Sequence, residues 1–338
     1  QDSAELQRLR AWTASQLEQL WPALLSRITG GQVRECHGDL HLGNIVWFAG
    51  QPKLFDGIEF DADLRWIDTM SEIAFPIMAL ERHGAHDLAY GFLNRYLELT
   101  GDYAGVAVLD FYRMYRAMVR AKIAILRLGQ TMDAATSLRL ADYRRYIAYG
   151  LALTQERRPL LLITHGFSGS GKSRLAAQLA GPMAAIRIRS DIERKRLAKG
   201  STANGAPELY GPAMTKRTYQ RLLLTAQQLL ATGQSVILDA TFLRHADRLA
   251  AHAIVLDSGA DFLILDVQAP IPLLKERIGQ RNAEGTDPSD ATLAVLTNQM
   301  AWAEPLGPHE LNVSITVDAS DTPRLAGLLQ QIGQRRNR

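Results

Sequence analysis

Cysteine is almost missing from this chain. Cys36 is the only one in 338 residues, which excludes an internal disulfide and fits a reducing compartment. No apolar run approaches the roughly 18 residues of a membrane-spanning helix, and no secretory leader is visible. A cytoplasmic protein is expected. Neither sign of charge dominates: 38 basic against 35 acidic residues leave a net charge of +3, too balanced to argue for a nucleic-acid partner. Much of that excess sits in the tail at 334–338, which reads as a solvated end. An initiator methionine is also lacking, so a processed product or a piece of a longer chain is expected. Hydrophobic content of 47% with 22% charge is that of a soluble globular protein, and the length suggests about two domains.

The pattern changes near residue 157, placing one domain at 1–157 and another at 158–338. Helical periodicity dominates the first part. Apolar residues recur on one face of 5–28, with Pro22 expected to kink or break that helix. Short strands are predicted at 33–36, 44–48 and 52–55, then helices over 65–83, 87–99, 106–128 and 134–156. Tyrosines in the last two read as packing. The second part alternates strand and helix, with strands predicted at 160–164, 184–188, 235–238, 261–265 and 313–317. That is the pattern of a five-stranded parallel sheet covered on both faces, hence an α/β fold. Loops are predicted at 200–211 and 282–288.

Between the first of these strands and a helix lies Gly166-Phe167-Ser168-Gly169-Ser170-Gly171-Lys172-Ser173. It fits the phosphate-cradling pattern G-x-x-x-x-G-K-[ST] in the context that gives it meaning. Gly166, Ser168, Gly169, Ser170 and Gly171 form the cradle, where backbone N–H groups and a helix N-terminus meet phosphate oxygens. Lys172 reaches the β- and γ-phosphates, and the Ser173 hydroxyl ligates Mg2+. ATP and Mg2+ are therefore expected.

Further features belong beside this loop. After the second strand, Asp191 and Arg194 share a helical face. Asp191 is a candidate general base for an acceptor hydroxyl, with an N-cap as the simpler role. Arg194 could hold an anionic group of the acceptor. The apolar strand ending in Asp239-Ala240-Thr241 places a carboxylate where a Mg2+ shell forms, with Thr241 beside the nucleotide. Arg277 and Arg281 lie four residues apart on one helix face, before a loop and a second helix containing Ser289 and Asp290. That arrangement is expected to act as a lid whose arginines neutralise charge on a transferring phosphoryl group.

These residues resemble P-loop small-molecule kinases: gluconate kinases, chloramphenicol phosphotransferases, zeta toxins and polynucleotide 5′-kinases. The resemblance covers 159–338 and implies phosphoryl transfer to a hydroxyl. Few aromatic residues lie near Asp191, so a small-molecule acceptor is expected before a polynucleotide 5′-end. A non-catalytic ATP-binding regulatory module is the alternative of a different class.

A second constellation precedes these. His37-Gly38-Asp39-Leu40-His41-Leu42-Gly43-Asn44 is followed by an apolar strand ending in Asp56. The spacing is that of a kinase-like catalytic loop. Asp39 would accept a proton, and Asn44 and Asp56 would ligate Mg2+. A zinc site using His37, Asp39 and His41 is the competing reading. The segment resembles the mainly helical C-lobe of protein-kinase-like aminoglycoside and choline phosphotransferases. It departs from them in one respect: no glycine-rich hairpin or lysine-bearing strand precedes His37. The tandem arrangement resembles bacterial bifunctional aminoglycoside phosphotransferase-like/P-loop ATPase proteins lacking the first lobe. A complete triphosphate site is expected only around Lys172.

Overall fold

The computed structural model describes residues 2–128, 136–199, 209–256, 258–284, 291–320 and 324–336. The chain forms two compact units, Gln1–Leu93 with Asp102–Glu156, and Arg157–Arg338 with Asn94–Gly101.

The first unit opens with α1 (Asp2–Thr29), which runs unbroken through Pro22. The expected break is absent because Pro22 and Glu18 are both exposed. Water can satisfy the carbonyl that proline leaves without a donor. Strand β1 (Val33–Glu35) comes next. Then β2 (Ile45–Phe48) and β3 (Gln51–Leu54) form an antiparallel hairpin. Its turn, Ala49-Gly50, has positive φ at both positions, as a two-residue hairpin connection requires. Residues 66–68 depart from the helix predicted over 65–83. They form β4 (Trp66–Asp68), antiparallel to β1, and α2 (Thr69–Arg82) starts only afterwards. The cause is Asp68, which caps α2 through Met70 N at 2.8 Å and is gripped by the Arg27 guanidinium at 2.6 Å. The helices α3 (His86–Thr100), α4 (Val106–Leu128) and α5 (Thr136–Leu153) follow. Leu9, Phe75, Met78, Met114, Ala117, Tyr146 and Ile147 make a core between α1, α2, α4 and α5.

The second unit is α/β. Its parallel strands are β5 (Leu160–His165), β6 (Ala185–Arg189), β7 (Ser235–Asp239), β8 (Asp261–Gln268) and β9 (Ser314–Asp318), in the order β6-β7-β5-β8-β9. The helices are α6 (Lys172–Ala180), α7 (Ser190–Lys199), α8 (Pro212–Ala231), α9 (His245–Leu256), α10 (Ile271–Glu284), α11 (Leu293–Trp302), α12 (Pro308–Asn312) and α13 (Leu325–Arg336). Leu160 to Ile163 are wholly buried, as a central strand covered on both faces must be. On one face Leu175 and Leu179 of α6 and Leu328 and Ile332 of α13 pack on Leu162, Leu265 and Ile315. Helices α8 and α9 pack against β5, β7 and β8.

From β5 the chain crosses towards β6, and from β8 towards β9. Connections leaving neighbouring strands in opposite directions open a crevice at the strands' carboxyl ends. Most of the loop predicted at 200–211, part of that at 282–288, and Ser289 and Asp290 lie outside the described residues.

Candidate active site

The turn after β5 is shaped by glycine geometry. Gly166 has φ +134°, and a Cβ there would stand 2.3 Å from the Val267 carbonyl oxygen. Gly169 has φ +84° with the Leu274 carbonyl 2.7 Å from its Cβ position. Gly171, at φ +97°, is the N-cap of α6 and offers no side-chain cap. The first N–H groups of α6 thus keep their capacity for an anion. The loop is anchored to the neighbouring strand by Gly166 N, which donates to Thr241 O at 3.2 Å. The Thr164 hydroxyl donates to Ala240 O at 2.6 Å.

Lys172 is buried and folded back over this loop. Its ammonium donates to Phe167 O at 2.6 Å and to Ser170 Oγ at 3.4 Å. Burial pulls its pKa down to about 8, against the opposing attraction of Asp239 and Asp191. The Ser173 hydroxyl donates to Asp239 Oδ1 at 2.9 Å. Asp239 Oδ2 is buried without a hydrogen-bond partner, with the Arg189 guanidinium 3.7 Å away. Burial raises the pKa of Asp239, and Arg187 and Arg189 oppose that rise. A hydroxyl beside a carboxylate with a spare oxygen is a donor set suited to a hard divalent cation. The spare oxygen and the uncapped α6 N-terminus fit Mg2+ and a triphosphate respectively.

Asp191 lies in the first turn of α7, half-buried. Its charge acts on Lys172. Arg194, one turn further, is buried with its guanidinium 4.6 Å over the Tyr210 ring and its Nε without a hydrogen-bond partner. Arg277 reaches the loop: its Nη1 is 3.7 Å from the Cβ position of Gly171, and its Nη2 donates to Ala319 O at 2.7 Å. Arg281 donates from Nη2 to Ala291 O at 2.8 Å, keeps a buried Nε without a partner, and acts electrostatically on Lys172. Lys172, Ser173, Asp239 and Arg277 are therefore brought together at the carboxyl end of the sheet, with Asp191 and Arg281 acting on Lys172 through their charges.

Ser168 is held by a side chain of α11. Its N–H donates to Gln299 Oε1, and Gln299 Nε2 donates to its Oγ, both at 3.0 Å. Both residues are buried, so Ser168 ties the loop to α11. No local motif marks Gln299. The same holds for Tyr219 of α8, whose hydroxyl meets Thr241 Oγ1. The wholly buried Arg248 bonds Phe242 O, Glu304 O, Pro305 O and the Glu310 carboxylate, bracing the turn after β7.

The first unit gathers its own constellation. Asn44 donates from Nδ2 to Asp39 O at 3.0 Å and to Asp56 O at 3.4 Å, so the loop and the strand end meet at one amide. Glu72 accepts from His37 N at 3.0 Å and Gly38 N at 3.2 Å, and Arg116 donates to Gly38 O at 3.1 Å. Burial raises the pKa of Glu72 against the pull of Arg116. Asp39 carries a carboxylate 3.6 Å from His41 Nε2, and Asp56 is exposed. His37 Nε2 donates to Phe55 O at 2.8 Å, and His41 Nδ1 accepts from Gly43 N at 2.9 Å. The two imidazoles are therefore oriented by the backbone. Among the described residues no group of three or more His, Cys, Asp or Glu side chains is arranged to hold a metal. Among them also, no helix is long and apolar enough to cross a membrane.

Residues 161–306 match the family model described as AAA domain. That segment holds the P-loop, Asp191, Asp239, Arg277, Arg281 and Gln299; the first unit lies outside it. The sheet order, the loop geometry and this match define the second unit as a P-loop nucleotide-binding domain. Over 298 residues the chain is 32% identical to uncharacterised proteins of Mycobacterium tuberculosis and Mycobacterium bovis, covering 85% of this chain. It spans 59% of the length of these relatives. Among solved structures it is similar to the Mycobacterium tuberculosis APS kinase in complex with AMPPNP and APS, at 18% identity and TM-score 0.39, over 54% of this chain and 99% of that one. It is also similar to a gluconokinase from Sinorhizobium meliloti, at 18% identity and TM-score 0.38, over 52% and 89%.

Proposed function

We propose that the second unit is a Mg2+- and ATP-dependent kinase that transfers a phosphoryl group to the hydroxyl of a small molecule. The observation that carries this reading is the convergence of Lys172, the Ser173–Asp239 pair and Arg277 on one loop-and-strand-end crevice, with the Asp191 charge acting on Lys172. Simple nucleotide binding needs the loop and its lysine. A carboxylate on α7 whose charge acts on that lysine adds what group transfer requires, a proton acceptor for the attacking hydroxyl. When bound, Mg·ATP supplies the phosphoryl group and the charge that neutralises it.

Ser173 Oγ and Asp239 hold the cation or its waters. Lys172 swings from Phe167 O to the phosphates. Asp191 takes the proton of the acceptor hydroxyl as its oxygen bonds to phosphorus and the bond to ADP breaks. Arg277 and Arg281, whose guanidinium groups reach only backbone carbonyls through the bonds described, balance the charge on the phosphoryl oxygens. Arg194 stands on the acceptor side. In the first unit, Asp39 would accept a proton and Asn44 and Asp56 would ligate Mg2+, but residues 1–157 contain no counterpart of the phosphate loop around Lys172.

Purified protein incubated with γ-labelled ATP against sugars, aminoglycosides, nucleosides and 5′-hydroxyl oligonucleotides tests the reading. Label is expected on a small-molecule acceptor. Label on the oligonucleotide alone would make this a polynucleotide kinase. Tight ATP binding with no labelled product would make it a regulatory module.

A further inference from the structure

The turn that follows β7 is held in a conformation its sequence does not favour. Phe242 has φ +43° and no exposed surface. A bulky residue in that region is strained unless its surroundings hold it there. Tyr219, on α8, supplies the hold. Its ring meets Phe242 edge-on at 5.1 Å and 77°. Its phenol oxygen lies 3.1 Å from Phe242 N and 3.1 Å from Thr241 Oγ1.

These contacts constrain which way the hydrogens point. The Phe242 N–H can only donate, so the phenol oxygen accepts there. Between the phenol and Thr241 Oγ1 either hydroxyl can donate; with the phenol as donor, its one proton goes to Thr241. Burial raises the Tyr219 pKa and keeps the proton in place. The Thr241 hydroxyl then has its own proton to direct elsewhere. The Thr241 carbonyl is meanwhile fixed by Gly166 N of the P-loop at 3.2 Å. Thr241 is thus pinned between the phosphate loop and α8, two residues beyond the carboxylate that bonds Ser173.

We propose that Tyr219 is a positioning residue, which holds the Thr241 hydroxyl as a hydrogen-bond donor into the crevice between β7 and the P-loop. There it meets an oxygen of the transferring phosphoryl group. The inference rests on the phosphoryl-transfer reading of this site. Tyr219 touches no substrate; it acts through Thr241.

The test compares Tyr219→Phe, Thr241→Val, Thr241→Ser and the double variant Tyr219→Phe/Thr241→Val. Two readouts are used: labelled transfer, and the affinity for Mg·ADP with fluoroaluminate, a phosphoryl mimic, relative to Mg·ADP alone. Tyr219→Phe and Thr241→Val should each lower kcat and the fluoroaluminate-to-ADP affinity ratio about tenfold. Mg·ADP affinity should stay within about twofold, Thr241→Ser should keep the ratio, and the double variant should be no worse than the worse single. A merely structural tyrosine would lower both affinities together. Three outcomes would overturn the inference: Tyr219→Phe with the wild-type ratio, losses that multiply in the double variant, or Thr241→Val with wild-type transfer. The last needs no folded Tyr219 variant. If the wild-type protein binds the fluoroaluminate complex tightly yet labels no acceptor, the kinase reading fails, and the affinity ratio still judges Tyr219. If it binds no nucleotide, both fail.

Discussion

Replacing Gly166 by alanine is the sharpest test of the loop geometry. The new Cβ would stand 2.3 Å from the Val267 carbonyl oxygen and 3.1 Å from Ser170 Oγ. The first obstacle is backbone on β8, so the strand or the loop must shift. The φ of +134° adds strain that an alanine bears and glycine does not. Overpacking of this kind costs about 1–3 kcal/mol, and the disfavoured dihedral about 1–3 kcal/mol more. The sum, about 2–6 kcal/mol, should lower the melting temperature by about 4–24 °C for a unit of this size. The displaced loop should lose ATP affinity more than tenfold. Thermal melts and nucleotide titrations of Gly166→Ala against two controls check this. Gly171→Ala meets nothing closer than 3.7 Å, so it carries only the dihedral cost. Gly279→Ala, on α10 with open space around it, should be neutral or stabilise by about 0.5–1 kcal/mol. A Gly166→Ala protein that melts with the wild type and binds ATP within threefold would refute the reasoning.

Other expectations follow from the same site. Lys172, with a pKa of about 8 when the loop is unliganded, should recover its proton when phosphates arrive. Nucleotide binding at pH 8.5 should take up about 0.7 proton, and at pH 7 only about 0.1. Titration calorimetry in buffers of different ionisation enthalpy measures this, and proton release at pH 8.5 would contradict it. The sign for stability is also determined. The unfolded lysine holds its proton up to about pH 10.5 and the folded one only to about 8. This group's contribution to stability therefore rises with pH across that window. Asp191→Asn should lower kcat by about 10²–10⁴ while leaving ATP affinity within a few-fold; an equal loss of affinity would make Asp191 a structural cap. Gln299→Ala should leave the buried Ser168 N–H without its acceptor, at about 1–3 kcal/mol. It should raise the KM for ATP about tenfold, and an unchanged KM would detach α11 from the loop's function.

What sequence could show depended on how far apart the partners lie along the chain. The P-loop, the strand ending at Asp239 and the Asp191–Arg194 turn are local patterns: the loop lies between β5 and α6, Asp239 ends β7, and Asp191 and Arg194 lie on α7. The continuous apolar strands were equally legible, since β5 is buried on both faces. The elements that were missed depend on distant partners. Gln299 bonds a serine 131 positions away, and nothing around it departs from an ordinary amphipathic helix. Tyr219 meets Thr241 across 22 positions. β4 reads as the start of a helix until Arg27, 41 positions earlier, grips Asp68. Pro22 misled for the opposite reason: its local cost is real, but exposure lets water meet it.

The central claim is that transfer, and not merely binding, occurs at the loop built around Lys172. Single-turnover transfer of label from γ-labelled ATP to the best acceptor, in wild-type, Lys172→Ala and Asp39→Ala proteins, tests it directly. Labelled product is expected from the wild type and from Asp39→Ala, and none from Lys172→Ala. Product that persists in Lys172→Ala, or that disappears only in Asp39→Ala, would contradict it and move the chemistry to the first unit.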